Sequence, residues 1–112
     1  MSEQELLTLA AKAVGIEIYF SDDGSCYHKE MQGNPSFRYR VPWNPLADDG
    51  QAFGLAADLR LKVLPGRLPG DGCTVESQRQ GIAGCTTFRD DKREQMRHAI
   101  VHVAAEIGKA TP

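Results

Sequence analysis

The stretch Pro42-Trp43-Asn44-Pro45-Leu46-Ala47-Asp48-Asp49-Gly50-Gln51-Ala52 separates two kinds of hydrophobic periodicity, which places the chain in the α+β class. Its two prolines remove two backbone donors and restrict the residues before them, so no regular element is expected across residues 42–45. Asp48 or Asp49 then supplies the oxygen that starts a helix, with Ala52, Phe53, Ala56 and Leu59 as its apolar positions. Trp43 is the only tryptophan and lies in the proline-framed loop. An aromatic held on a rigid loop is a typical interaction anchor. Aromatic side chains more often contribute buried area, which favours a plug at the end of the core with the indole N–H bonded to a carbonyl.

Upstream of this stretch the period is two. Ile16, Ile18 and Phe20 alternate with Glu17, Tyr19 and Ser21, and Asp23-Gly24 then provides a tight turn. The return strand runs from Cys26 to Met31, and Ser36 to Val41 alternates again after Gly33-Asn34-Pro35. Phe37, Tyr39 and Val41 share one side of that strand, Arg38 and Arg40 the other. Before the strands, Ser2 and Glu5 form a capping box for a helix over residues 3–14, which Gly15 stops. Leu6, Leu9, Ala10, Ala13 and Val14 are its apolar positions.

Downstream, Leu61 to Leu64, Cys73 to Ser77 and Ile82 to Phe88 read as strands, with a loop over Pro65 to Gly72. Asp91 with Glu94 opens a last helix whose stripe is Met96, Ile100, Val103, Ala104 and Ile107, ending at Gly108. The expected order is α-β-β-(β)-α-β-β-α: a mostly antiparallel sheet of four to five strands with three helices packed on it, sandwich-like, as one domain over residues 1–112. Alternating strands imply one solvated sheet face, whereas a three-layer sandwich covers both.

The composition is that of an ordinary globular protein, with 41% hydrophobic and 25% charged residues. A net charge of −2 argues against whole-molecule attraction to nucleic acid or an anionic membrane. The opening residues carry no secretory signal and no apolar run is long enough to span a membrane. Cys26, Cys73 and Cys85 are odd in number and widely spaced, which reads as buried free thiols in a reducing cytoplasm.

Nothing in the chain makes a catalytic or metal-binding motif, and no cofactor is expected. The pairs Asp22-Asp23, Asp48-Asp49 and Asp90-Asp91 each fall where a turn or a helix start already needs an aspartate. His98 and His102 stand four apart, a spacing that suits a shared metal, but Ala99 replaces the glutamate of the zinc-protease pattern. Together with Glu106 they lie opposite the apolar stripe, as a solvated face would. Arg38 and Arg40, with Lys29 on the neighbouring strand, form the best basic surface. Tyr39 points away from both arginines in a regular strand, so base stacking and charge would not cooperate there. Arg89, Lys92, Arg93 and Arg97 are diluted by Asp90, Asp91 and Glu94.

Trp43-Asn44-Pro45-Leu46-Ala47-Asp48-Asp49-Gly50-Gln51-Ala52 resembles the central W-N-P-L-x-D-D-G-x-A pattern of the phage ABA-sandwich domain. Glu5 to Ile18 and Arg97 to Gly108 are similar to that family's terminal helices. The resemblance implies a small bacteriophage or prophage protein with helices around a central sheet, and it brings no catalytic residues. The expected function is therefore a non-enzymatic accessory module in the cytoplasm of the bacterial host. Its expected partner is a host or phage protein, with nucleic acid as the alternative and no membrane. The candidate interaction residues are Trp43, Arg38, Arg40 and Lys29. Monomer and homodimer both stay open.

Overall fold

The computed structural model describes residues 2–28, 41–64, 73–77, 82–86 and 91–111. The first helix, α1 (Glu3–Val14), begins where the Ser2 hydroxyl accepts from the Glu5 amide at 3.2 Å. It ends at Gly15, whose φ of 73° lies in the left-handed region that an L side chain disfavours. Leu6, Leu7, Ala10 and Ala11 are its buried residues, while Leu9, Ala13 and Val14 are half-buried. The covered face thus sits slightly round the helix from the stripe expected on periodicity.

Strands β1 (Ile18–Phe20) and β2 (Cys26–His28) form an antiparallel hairpin, and β3 (Val41–Pro42) joins β2 on its other side. The Asp23-Gly24 turn closes with Gly24 at φ 88° and its amide donating to the Ser21 carbonyl at 2.9 Å. Phe20 and Ile18 are half-buried and Tyr19 is exposed, the alternation expected of one covered face. Tyr19 stands opposite Tyr27 and stacks on it, ring centroids 5.5 Å apart.

The expectation that no regular element crosses residues 42–45 needs correction at Pro42, which pairs with Tyr27. The reason lies in the ladder. The Trp43 amide donates to the Cys26 carbonyl at 2.9 Å, so the neighbouring Tyr27–Pro42 pair is a non-hydrogen-bonded one. In such a pair an amide on β3 would point away from β2, and among the described residues β3 has no strand on that side. The missing proline N–H therefore costs the ladder nothing.

The second helix, α2 (Asp49–Asp58), leads into β4 (Leu61–Leu64), followed by β5 (Cys73–Ser77), β6 (Ile82–Thr86) and α3 (Lys92–Ala110). Strands β4, β5 and β6 make a second antiparallel sheet in that order. One antiparallel sheet of four to five strands was the expectation; the described strands instead form two sheets of three. Period-two alternation defines the faces of each hairpin but not which strand edges meet, and α2 intervenes between the two hairpins in the chain.

The last helix is the centre of the molecule. It packs on α1 and α2 and also on β5 and β6. Its buried residues accordingly extend beyond the expected stripe to Ala99, Val101 and Ala105. Val75 and Val101 are fully enclosed, each contributing on the order of 1.5–3 kcal/mol by leaving water. At Gly108 the helix passes so close to α1 that an added β-carbon would lie 1.9 Å from the Leu9 carbonyl oxygen. Only a residue without a side chain permits that approach.

Phe53 departs from its expected place in the core. It is 74% exposed, and Leu55 is buried instead, with Ala52 and Ala56. The covered sector of α2 is centred on positions 52, 55, 56 and 59, one step round the helix from Phe53.

Candidate functional site

The tryptophan loop is built as structure. Trp43 is 7% exposed and part of the core, so its position is that of the plug and its ring is not displayed to a partner. Pro45 and Leu46 are buried beside it in the chain. The Asn44 side chain accepts from the Leu46 amide at 3.1 Å, and its carbonyl accepts from the amides of Ala47 and Asp48. Gln51 clasps the loop from the first turn of α2: its amide group donates to the Pro42 carbonyl at 2.6 Å and accepts from the Asn44 amide at 2.5 Å. Asp48 is the helix cap, accepting from the Gln51 amide at 2.9 Å.

Asp49, released from capping, reaches α3. Its carboxylate takes Arg97 Nη1 at 2.5 Å and lies 3.6 Å from Arg93 Nη1. Arg97 also donates from Nε to the Leu46 carbonyl at 2.8 Å, and its side chain is only 16% exposed. A residue that reads as part of a diluted basic surface thus clamps the loop to the last helix. Its partners lie 48 and 51 positions away, so no local pattern reveals them.

Beside this clamp opens a cavity of about 650 Å³ between α2, β4 and α3. Ala52, Ala56 and Ala57 form its α2 wall, and their short side chains leave the space open. Met96 and Ile100 close it from α3, and Leu61 and Val63 from β4. Phe53 stands on the rim. The volume falls within the range of ligand and side-chain pockets, and its lining is predominantly apolar.

The polar groups at the mouth are unevenly charged. Arg60, Arg93 and Arg97 face a single carboxylate, Asp49. Arg97 is held by Asp49 and the Leu46 carbonyl, whereas the Arg93 side chain is 79% exposed and its contact with Asp49 is long. An exposed pair of that kind contributes under about 1 kcal/mol. Arg60 has no ion pair among the described residues, and its φ of 54° holds it in the left-handed region just past the end of α2.

Lys29, Arg38 and Arg40 lie outside the described residues, as do Arg89 and Asp90. His102 and Glu106 are exposed on α3, but His98 is largely covered and stands 4.0 Å from Glu94. Among the described residues no three His, Cys, Asp or Glu side chains gather closely enough to hold a metal ion. Cys26 and Cys73 are buried free thiols, and burial pushes the Cys26 thiol up, which keeps it out of the reactive thiolate form at neutral pH. No helix among the described residues is long and apolar enough to cross a membrane. No protein-family model, no curated protein and no solved structure matches the chain.

Proposed function

We propose that this chain is a non-enzymatic accessory module of a bacteriophage or prophage that works in the host cytoplasm by binding another protein. The observation that carries the reading is the apolar groove between α2, β4 and α3, with Phe53 exposed on its rim. A phenylalanine with three quarters of its surface in water contributes little to the core, and aromatic anchors of this kind dominate protein–protein contacts. The phage assignment is supported by the residues 43–52 and the terminal helices described above. Under the same reading residues 1–112 are one ABA-sandwich-like domain, supported by the way α3 packs on both helices and sheet.

The test is a tagged pull-down from bacterial lysate with and without nuclease, run beside Phe53→Ser. A specific protein recovered in both nuclease conditions and lost with Phe53→Ser is the expected outcome. Capture that vanishes with nuclease would replace the reading with nucleic-acid binding and direct attention to Lys29, Arg38 and Arg40.

A further inference from the structure

Arg60 and Arg93 stand at opposite ends of the groove. Arg93 is in the first turn of α3, beside Asp49 at the start of α2. Arg60 follows the other end of α2. The ten residues of α2 separate these ends by about 15 Å, at 1.5 Å per residue. The groove therefore presents an apolar floor some three helical turns long with a guanidinium at each end.

We infer that the occupant is an amphipathic helix of the partner protein, with an apolar stripe for the floor and an acidic residue at each end for Arg60 and Arg93. This rests on the protein-binding reading and specifies its partner. Charge sets the choice. Three arginines against one aspartate leave two positive charges, so an acidic segment is attracted and a basic one repelled. The separation of those charges sets it further. A small amphiphile with one carboxylate head engages a single end, whereas a segment of about eleven residues reaches both. The walls are largely apolar side chains, which suits a segment that satisfies its own backbone hydrogen bonds, as a helix does.

The test uses the full chain and a fluorescein-labelled, covalently stapled helix of about twelve residues, with leucines at i, i+4 and i+7 and a glutamate near each end. A second probe carries lysines in place of the glutamates, and dodecanoate serves as a single-headed competitor. The protein variants are Arg60→Asp, since aspartate tolerates the left-handed backbone, and Arg93→Glu; Arg97 is left intact because it holds the fold. The glutamate probe binds the unmodified protein, each reversal weakens it about tenfold, and the doubly reversed protein prefers the lysine probe, as expected for close charge pairs at an interface.

Equal binding of both probes, or no binding of either, overturns the inference. Dependence on only one of the two arginines, with displacement by dodecanoate, also overturns it and assigns the groove to a single-headed ligand. The lysate pull-down keeps the two levels apart. A protein captured equally by the unmodified and doubly reversed chains leaves the binding-module reading standing and removes the helix from the groove. Probe binding as expected, with no protein captured from the lysate, leaves the groove's preference for an acidic helix standing and overturns the reading of a host protein as its source.

Discussion

A β-carbon at position 108 would stand 1.9 Å from the Leu9 carbonyl oxygen and 2.7 Å from the carbonyl carbon. Backbone atoms cannot step aside as a flexible side chain does, so Gly108→Ala must push α1 and α3 apart. Overpacking of this kind costs about 3 kcal/mol. Urea unfolding should therefore show a lower midpoint with an unchanged slope. At Arg97 a single side chain ties the tryptophan loop and the start of α2 to α3. Arg97→Ala removes a charge-assisted bond to Asp49 and leaves the Leu46 carbonyl without its donor. The expected loss is about 2 kcal/mol, typical of hydrogen bonds to charged groups. Arg97→Lys should recover little of it, because a single ammonium cannot place donors where Nε and Nη1 are held in one rigid plane.

At the scale of the element, each helix start rests on one side-chain oxygen. Asp48→Ala should cost about 1 kcal/mol, read as a lower thermal midpoint, since the Gln51 amide loses its acceptor. The β1–β2 hairpin depends instead on a turn carboxylate. The Ser21 hydroxyl and then the Ser25 amide donate to Asp23 and hold its carboxyl below its usual value of 3.8. A depressed folded pKa means the turn's contribution is fully present above the unfolded value and is lost as pH falls through the folded one. Acid titration followed by the Ser25 amide resonance should show release of the turn only below about pH 3.8. In Asp23→Ala that transition should be absent.

Across the whole molecule, the sole tryptophan and the helices report on different parts of the structure. Trp43 is buried where the β1–β2–β3 sheet meets the start of α2, while the far-ultraviolet signal comes mainly from α1 and α3. If sheet and helical body melt as one unit, tryptophan emission and circular dichroism will give coincident denaturation curves. Separate midpoints would mean that the sheet melts on its own. Much of the architecture could be read from local sequence, because caps, turns and strand alternation are written in neighbouring residues. Ser2, Gly15, Asp48 and Asp91 mark helix ends, and Asp23-Gly24 marks the hairpin. The site could not be read this way. Phe53 falls within the apolar periodicity of α2, and nothing in that period tells which sector other elements will cover. Arg97 looks like a surface charge until residues 46 and 49 are brought beside it. The groove itself arises from alanines, which read as ordinary helix formers and give no sign of the space they leave.

The close crossing of α1 and α3 also governs when the chain can fold. Leu9 and Gly108 meet although 99 positions separate them in the sequence. On the ribosome α1 is made well before the α3 surface that covers it. Until α3 has emerged, the nascent chain carries an apolar helix without its main partner, and bringing the two together requires closing a loop of about 100 residues. Stable folding of α1 therefore waits for α3, and the exposure of this segment to chaperones and proteases is set by how quickly α3 reaches α1.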